Sequence, residues 1–259
     1  MISSRPAPST REPRVVAVIL AYNVAGLLEK ALRKIPRELV SDILVMDDGS
    51  TDGTYEVAQR LGLKVHRNER NLGYGGNLRS GLHRALQDGS ADYVVEIHGD
   101  GAQFNPSAIA AAMPLMKRGV PLILGSRFIE PGAARKNGMP WLRFVANGGL
   151  SHIARSVLRL PLTEFHSGFR LYSRAFVEAL PLEANSSDHL FSFEILAQAA
   201  YFSLEVGEIP VEADYHSEHT SIALGAAAVY SVNNLICLAK YSLAKAGLHH
   251  STMFPRLGA

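Results

Sequence analysis

Four polar clusters each follow an apolar run: Tyr22-Asn23, Asp47-Asp48-Gly49-Ser50-Thr51-Asp52, His98-Gly99-Asp100 and Ser126-Arg127. Carboxylates at 47–52 can accept hydrogen bonds from a base's N–H or from ribose hydroxyls, giving a nucleotide site without a glycine-rich phosphate loop. The same residues equally suit a turn and a helix cap. At 98–103, a carboxylate on Asp100 just past a buried strand can hold a divalent cation that bridges two phosphates. Oxygen ligands favour Mg or Mn, and an imidazole at His98 would tilt the choice toward Mn. The other reading of His98 is a satisfied structural histidine. The segment Arg70-Asn71-Leu72-Gly73-Tyr74-Gly75-Gly76-Asn77 leads into a helix, where glycines permit close backbone approach and the helix start offers N–H groups to an anion or carbonyl. A dinucleotide fingerprint would need Gly-x-Gly-x-x-Gly after the first strand, but that strand ends in Tyr22-Asn23. A phosphate loop ending in Gly-Lys-Ser/Thr is also absent.

The elements that must position these clusters read as an alternation. Strands are expected at Val15–Ala21, Asp42–Met46, Leu63–His66, Tyr93–His98 and Leu122–Gly125. Helices are expected between them at Gly26–Ile35, Gly53–Leu61 (capped by Asp52 or Thr51), Gly75–Asp88 and Pro106–Arg118. Such alternation predicts an α/β fold, a mostly parallel sheet flanked by helices on both faces. Ligands bind such sheets beyond the carboxyl ends of the strands, so the four clusters are expected to converge on one ligand. Beyond Pro131 the pattern loosens. A mobile loop is expected at Pro131–Gly138, a helix at Met139–Leu160, a short strand or turn at Phe165–Tyr172, a helix at Ser187–Ala200 and a strand at Ser203–Val211.

Composition narrows the function. The 259 residues are 47% hydrophobic and 19% charged, which supports a buried core and excludes wholesale disorder. A net charge of +2 is too balanced for a protein that neutralises many nucleic-acid phosphates, so nucleic acid is not an expected partner. The single cysteine, Cys237, excludes an intrachain disulfide framework and a cysteine-based zinc cluster, and fits a reducing compartment. With a polar N-terminus and no secretory signal, the expected location is cytoplasmic. The proline-containing residues 1–13 read as a disordered arm. The largely apolar stretch Ile222–Ala239 carries Tyr230, Ser231, Asn233 and Asn234, which weakens a spanning reading. It suits a helix packed on the domain or one lying at a bilayer interface.

Six segments in order carry a resemblance: Val18-Ile19-Leu20-Ala21-Tyr22-Asn23, Asp47 to Asp52, Asn71-x-Gly73-x-Gly75-Gly76, the Asp100 segment, Gly125-Ser126-Arg127-Phe128 and Ser167-Gly168-Phe169-Arg170-Leu171-Tyr172. The series resembles glycosyltransferase family 2, in the branch of dolichyl-phosphate mannose synthase and bacterial polyprenyl-phosphate glycosyltransferases. The likeness implies a GT-A domain over 14–222, with a nucleotide-binding half at about 14–130 and an acceptor half at about 131–222. A C-terminal helical extension over 223–259 follows, with peripheral membrane contact through 222–246 on the inner face as one reading. By the same likeness Ala21, Tyr22, Asn23, Asp48, Gly73, Gly76, Asn77, Gly99 and Asp100 bind the nucleotide. Asp100 matches the second aspartate of the family's Asp-x-Asp motif and holds the metal, Mn or Mg, with His98 and Gln103 as further candidate ligands. Arg127 stands near the phosphates, Ser167 and Arg170 shape the acceptor side, and His219 could contact the diphosphate. The sequence departs from the family pattern in five places. His98 replaces the first aspartate, and one extra residue separates Asp100 from Gln103. Val24 replaces a glutamate, Glu164 replaces an aspartate, and Tyr215–Ser221 replaces a segment that often carries arginine.

The implied reaction is inverting transfer of a sugar from a UDP- or GDP-sugar to an acceptor, foremost a polyprenyl phosphate. Negative charge gathers on the departing phosphate, where a cation at Asp100 and Arg127 would stabilise it. A hydroxyl acceptor needs a general base; an anionic phosphate acceptor does not. Glu194 is the candidate base, set against a purely structural hydrogen-bonding role, with Asp188 and His189 as second choices. Two other readings remain open: the same chemistry on a soluble small-molecule or saccharide acceptor, and a non-catalytic nucleotide-sugar-binding protein, motivated by His98.

Overall fold

The computed structural model describes residues 11–87, 89–101, 106–213 and 224–257. Seven strands form one sheet: β1 (Val15–Ala21), β2 (Asp42–Asp47), β3 (Lys64–Arg67), β4 (Tyr93–His98), β5 (Leu122–Ser126), β6 (Arg170–Ser173) and β7 (Val206–Pro210), in the order β3-β2-β1-β4-β6-β5-β7. All neighbours are parallel except β6, which runs antiparallel to both β4 and β5. Two reversals cancel, so β5 points the same way as β4. The carboxyl ends of β1, β2, β4 and β5 therefore share one edge, as the alternation required.

Because strand side chains alternate between faces, one apolar run feeds two cores. Val16, Val18 and Val94 pack with Leu78 and Leu82 of α3 (Gly73–Leu86), and this layer extends to α6 (Trp141–Leu158), α8 (Phe191–Tyr201) and α9 (Leu224–Lys245). Ala17, Ile19 and Val95 face α1 (Leu28–Arg33), α2 (Thr54–Arg60) and α4 (Ile109–Lys117) on the other side.

Several boundaries differ from the sequence reading. Helix α1 is shorter because residues 25–27 form a turn. The N-cap of α2 is Gly53 rather than Asp52 or Thr51, although Asp52 Oδ1, one residue earlier, accepts the Thr54 N–H at 3.0 Å. The expected loop at 131–138 contains a helical turn, α5 (Ala133–Lys136), and the unanticipated α7 (Arg174–Ala179) is capped by Ser173, whose hydroxyl accepts the Phe176 N–H. Helix α8 starts at Phe191 rather than Ser187 because residues 186–188 cross the start of α3. Arg11 and Glu12, assigned by sequence to the arm, are tied to the domain by ion pairs to Asp92 and Lys117.

Candidate functional site

The turns after β1 and β2 are laced together by their own side chains. Asn23 sits at φ +52°, a conformation asparagine tolerates, and its Oδ1 accepts the Thr51 N–H at 2.9 Å. Ser50 Oγ accepts the Asn23 N–H, Thr54 Oγ1 that of Val24, and Asp52 Oδ2 that of Ala25, each at 2.9 Å. Tyr22 is left 51% exposed at the mouth of this edge, and Ala21 is buried beneath it. Asp48 is buried, and its Oδ1 accepts from Asn68 Nδ2 and from the Leu72 N–H, both at 2.8 Å. Asn77 completes that bracket: its Oδ1 accepts from Asn68 and its Nδ2 donates to the Met46 carbonyl. Asp48 and Asn77 thus join β2 to the start of α3.

The glycines at the start of α3 serve packing. The Gly75 and Gly76 N–H groups, expected to meet an anion or a carbonyl, donate to the Ser187 carbonyl at 2.8 and 3.3 Å. A Cβ on Gly75 would lie 2.5 Å from the Ser186 carbonyl oxygen, and Gly73, at φ +76°, would meet Ser187 as closely. Only glycine admits the 186–188 crossing. The same crossing binds Glu194, whose carboxylate accepts from both Ser186 N and Ser186 Oγ at 2.7 Å. Burial raises the Glu194 pKa above the ordinary carboxylate value, with the Ser186 hydrogen bonds opposing the rise.

At the end of β4, Gly99 donates to the Leu20 carbonyl at 2.8 Å, and a Cβ there would strike that same oxygen. This locks the His98-Gly99-Asp100 turn to β1 and leaves Asp100 partly exposed at the edge. His98 turns inward, its Nε2 3.3 Å from Glu96 Oε1. Glu96 is the functional candidate that the sequence reading missed. It is fully buried and accepts from Tyr74 Oη and, at 2.8 Å, from Tyr172 Oη, while Tyr74 also contacts Ser192 Oγ. Burial alone would push the Glu96 pKa up, but His98, Arg170 and Tyr74 hold it below the usual range. For His98, burial disfavours the imidazolium, yet Glu96 and Asp100 carry its pKa above the usual value. A lone glutamate in the otherwise apolar Tyr93–Ile97 run was the available signal, since a carboxylate on a doubly covered strand demands partners.

Beyond the end of β5, Arg127 is bound on three atoms by the fully buried Glu164: its N–H and Nε reach Oε2 at 2.8 and 3.0 Å, and Nη2 reaches Oε1. Glu164 is itself positioned through its own N–H, which donates to Glu208 at 2.9 Å. Arg170 is fully buried, with Nη1 donating to the Ser192 carbonyl at 2.6 Å. Ser167, also buried, accepts the Phe169 N–H. Gln103 and His219 lie outside the described residues.

A cation fits this edge as a shared ligand. Among the described residues, no group of three or more His, Cys, Asp or Glu side chains could hold a metal ion. Among the described residues Asp100 contributes one hard carboxylate, and a bound diphosphate and water could supply further oxygen ligands to a Mg or Mn ion. Among the described residues, no helix is long and apolar enough to cross a membrane.

A mostly parallel seven-stranded sheet with the turns after β1, β2, β4 and β5 gathered at one edge defines an α/β domain of the GT-A type. Residues 16–180 match Glycosyl transferase family 2, and the chain belongs to that family. It is similar to the UDP-N-acetylglucosamine–dolichyl-phosphate N-acetylglucosaminyltransferase of Methanococcus voltae, with 27% identity over 219 residues, 78% of this chain and 86% of the relative. The undecaprenyl-phosphate mannosyltransferase of Micrococcus luteus is 30% identical over 207 residues, 76% of this chain and 82% of its own. Among solved structures, glucosyl-3-phosphoglycerate synthase of Mycobacterium tuberculosis, in complex with Mn2+, UDP and glucosyl-3-phosphoglycerate, superposes with a TM-score of 0.63 at 20% identity. The match covers 92% of this chain and 82% of that one.

Proposed function

We propose that this glycosyltransferase moves a sugar from a nucleoside-diphosphate sugar, UDP- or GDP-linked, to a polyprenyl phosphate with inversion at the anomeric carbon. The observation that carries the reading is the shared edge: the turns ending β1, β2, β4 and β5 face one way, with Asp100 partly exposed among them. The names of the Methanococcus and Micrococcus relatives support a lipid-phosphate acceptor. Tyr22, Asn23 and Asp48 would line the nucleoside pocket, with Gly73, Gly76 and Asn77 packed beneath it. Residues 14–222 would be the catalytic domain.

In the reaction an acceptor phosphate oxygen bonds to the anomeric carbon while the bond to the diphosphate oxygen breaks, releasing nucleoside diphosphate. The acceptor is already anionic, so no proton need be removed. A Mg or Mn ion held by Asp100 would supply charge neutralisation on the leaving diphosphate. Arg127, fixed by Glu164, would add a preorganised positive charge that needs no rearrangement during transfer. The Glu96–His98 pair would hold the Asp100 turn in place from below.

The test is transfer by the purified protein with Mn and either UDP- or GDP-sugars, offered farnesyl phosphate or 3-phosphoglycerate as acceptor. Glycosylated farnesyl phosphate is the expected product. Glycosylated phosphoglycerate instead would establish the soluble-acceptor reading. The absence of both turnover and a nucleotide-dependent thermal shift would overturn the catalytic assignment.

A further inference from the structure

Helices α6 and α9 pack side by side, and both lie against α8. Their inner faces join the core; their outer faces carry large apolar side chains among the polar ones, where a solvated surface helix would be polar. On α6, Trp141 (65% exposed), Leu142 and Val145 point outward, and on α9 Val229 (62%), Val232 and Ile236 do so at one-turn spacing. From Val229 to Leu243 the exposed apolar positions of α9 run for about 21 Å at 1.5 Å per residue. These exposed residues sit on two helices that contact each other, which is more than the scatter of single apolar residues that any surface carries.

Charge decides what covers it. Helices α6 and α9 carry Arg143, Arg155, Lys240 and Lys245, and the preceding helical turn α5 adds Arg135 and Lys136. They hold none of its 24 aspartates and glutamates. All of the chain's acidic residues therefore lie elsewhere, although the whole is nearly neutral. A second copy docked face to face would bring like charges together. An apolar band edged with cations and bearing a tryptophan is instead the pattern that settles into the headgroup region of an anionic bilayer. The inner side of α9 keeps the face next to the site, since Tyr230 Oη lies 3.3 Å from Nδ1 of His166, beside the Ser167–Arg170 segment.

We infer that α6 and α9 together form a docking surface for an anionic membrane, lying flat on it rather than crossing it. The inference rests on the lipid-acceptor reading for its purpose only. The full chain is mixed with vesicles of phosphatidylcholine, with or without phosphatidylglycerol, and assayed by flotation and by emission of Trp141, the sole tryptophan. The protein should float with the phosphatidylglycerol vesicles, with a blue shift of Trp141, and added salt should weaken the binding. Arg135→Glu with Lys136→Glu should weaken binding by at least about tenfold. Val232→Asp with Ile236→Asp, both outward and clear of the core, should abolish flotation while donor hydrolysis in solution persists. No flotation and no shift with either vesicle overturns the inference, as does a dimer that Val232→Asp with Ile236→Asp dissociates. Transfer to farnesyl phosphate in solution reports on the acceptor independently, so the failure of either idea is visible without the other.

Discussion

The two halves of the sheet edge are built by different electrostatics. In the β1–β2 half, the carboxylates of Asp48 and Asp52 are held by backbone amides, a hydroxyl and an asparagine, all neutral donors. In the β5–β7 half, Arg127 and Glu164 form a buried ion pair, and Glu208 in turn accepts from the Thr163 and Glu164 amides. The first half is mostly a set of turns whose short side chains satisfy nearby backbone, and its one buried carboxylate with an ionic partner, Asp47, pairs with an Arg67 that stays 43% exposed. The second is a set of buried ions that must stay complete, because an unpaired buried charge costs far more than the pair contributes.

The sharpest way to break the comparison is Glu164→Gln. It strands the Arg127 guanidinium in a site that is only 8% exposed and should cost about 3–5 kcal/mol, read as a fall in the urea midpoint. A small loss would mean that the β5–β7 half is no more dependent on ions than its neighbour. Next in size, Asp100→Asn should lower the rate of transfer by about 10²–10³-fold and remove the Mn-dependent part of a nucleotide thermal shift. Its urea midpoint should stay unchanged, since Asp100 is partly exposed. If the Mn-dependent shift survives, the cation is held elsewhere.

Gly75→Ala tests the seam between the halves. The added methyl would meet the Ser186 carbonyl oxygen at 2.5 Å, Phe191 Cβ at 2.7 Å and the Asp188 carbonyl oxygen at 2.9 Å. Two of these atoms are backbone and cannot turn aside, so the loss should be about 1–3 kcal/mol by urea denaturation. Gly26→Ala, where a Cβ meets nothing within 4 Å, is the matched control.

The same seam marks where the sequence stopped being legible. Strand β1 was readable to the residue, and β2 and β5 to within one, because doubly covered strands are continuous apolar runs ended by polar turns. The turn clusters were readable as one edge for the same reason. Pairings made across long stretches of chain were not: Arg127 meets Glu164 from 37 residues away, and Glu96 meets Tyr172 from 76 away. No local pattern encodes such partners. At the start of α3 the sequence left an anion and a carbonyl equally open as partners of the glycine N–H groups, because the carbonyl they meet belongs to a segment more than a hundred residues later. The short helices α5 and α7, four and six residues long, fall below the length at which apolar periodicity speaks.

Glu194→Gln gives the smallest effect and separates two roles of one carboxylate. Burial raises its folded pKa above the ordinary value of 4.5. The folded state therefore holds the proton more tightly than the unfolded chain. Stability is greatest below the unfolded pKa and falls as pH rises through the folded one. The glutamine variant keeps an acceptor for Ser186 but has nothing to ionise, so this segment of the pH–stability curve should flatten. Activity reads the other role. With farnesyl phosphate as acceptor no base is required, and kcat should change little. A hydroxyl acceptor would need the proton taken away, and losing its base would cost about 10²–10⁴-fold together with the acidic limb of the rate profile. A flattened stability curve with an intact rate profile assigns Glu194 to holding the Ser186 crossing against α3, and a lost limb assigns it to the reaction.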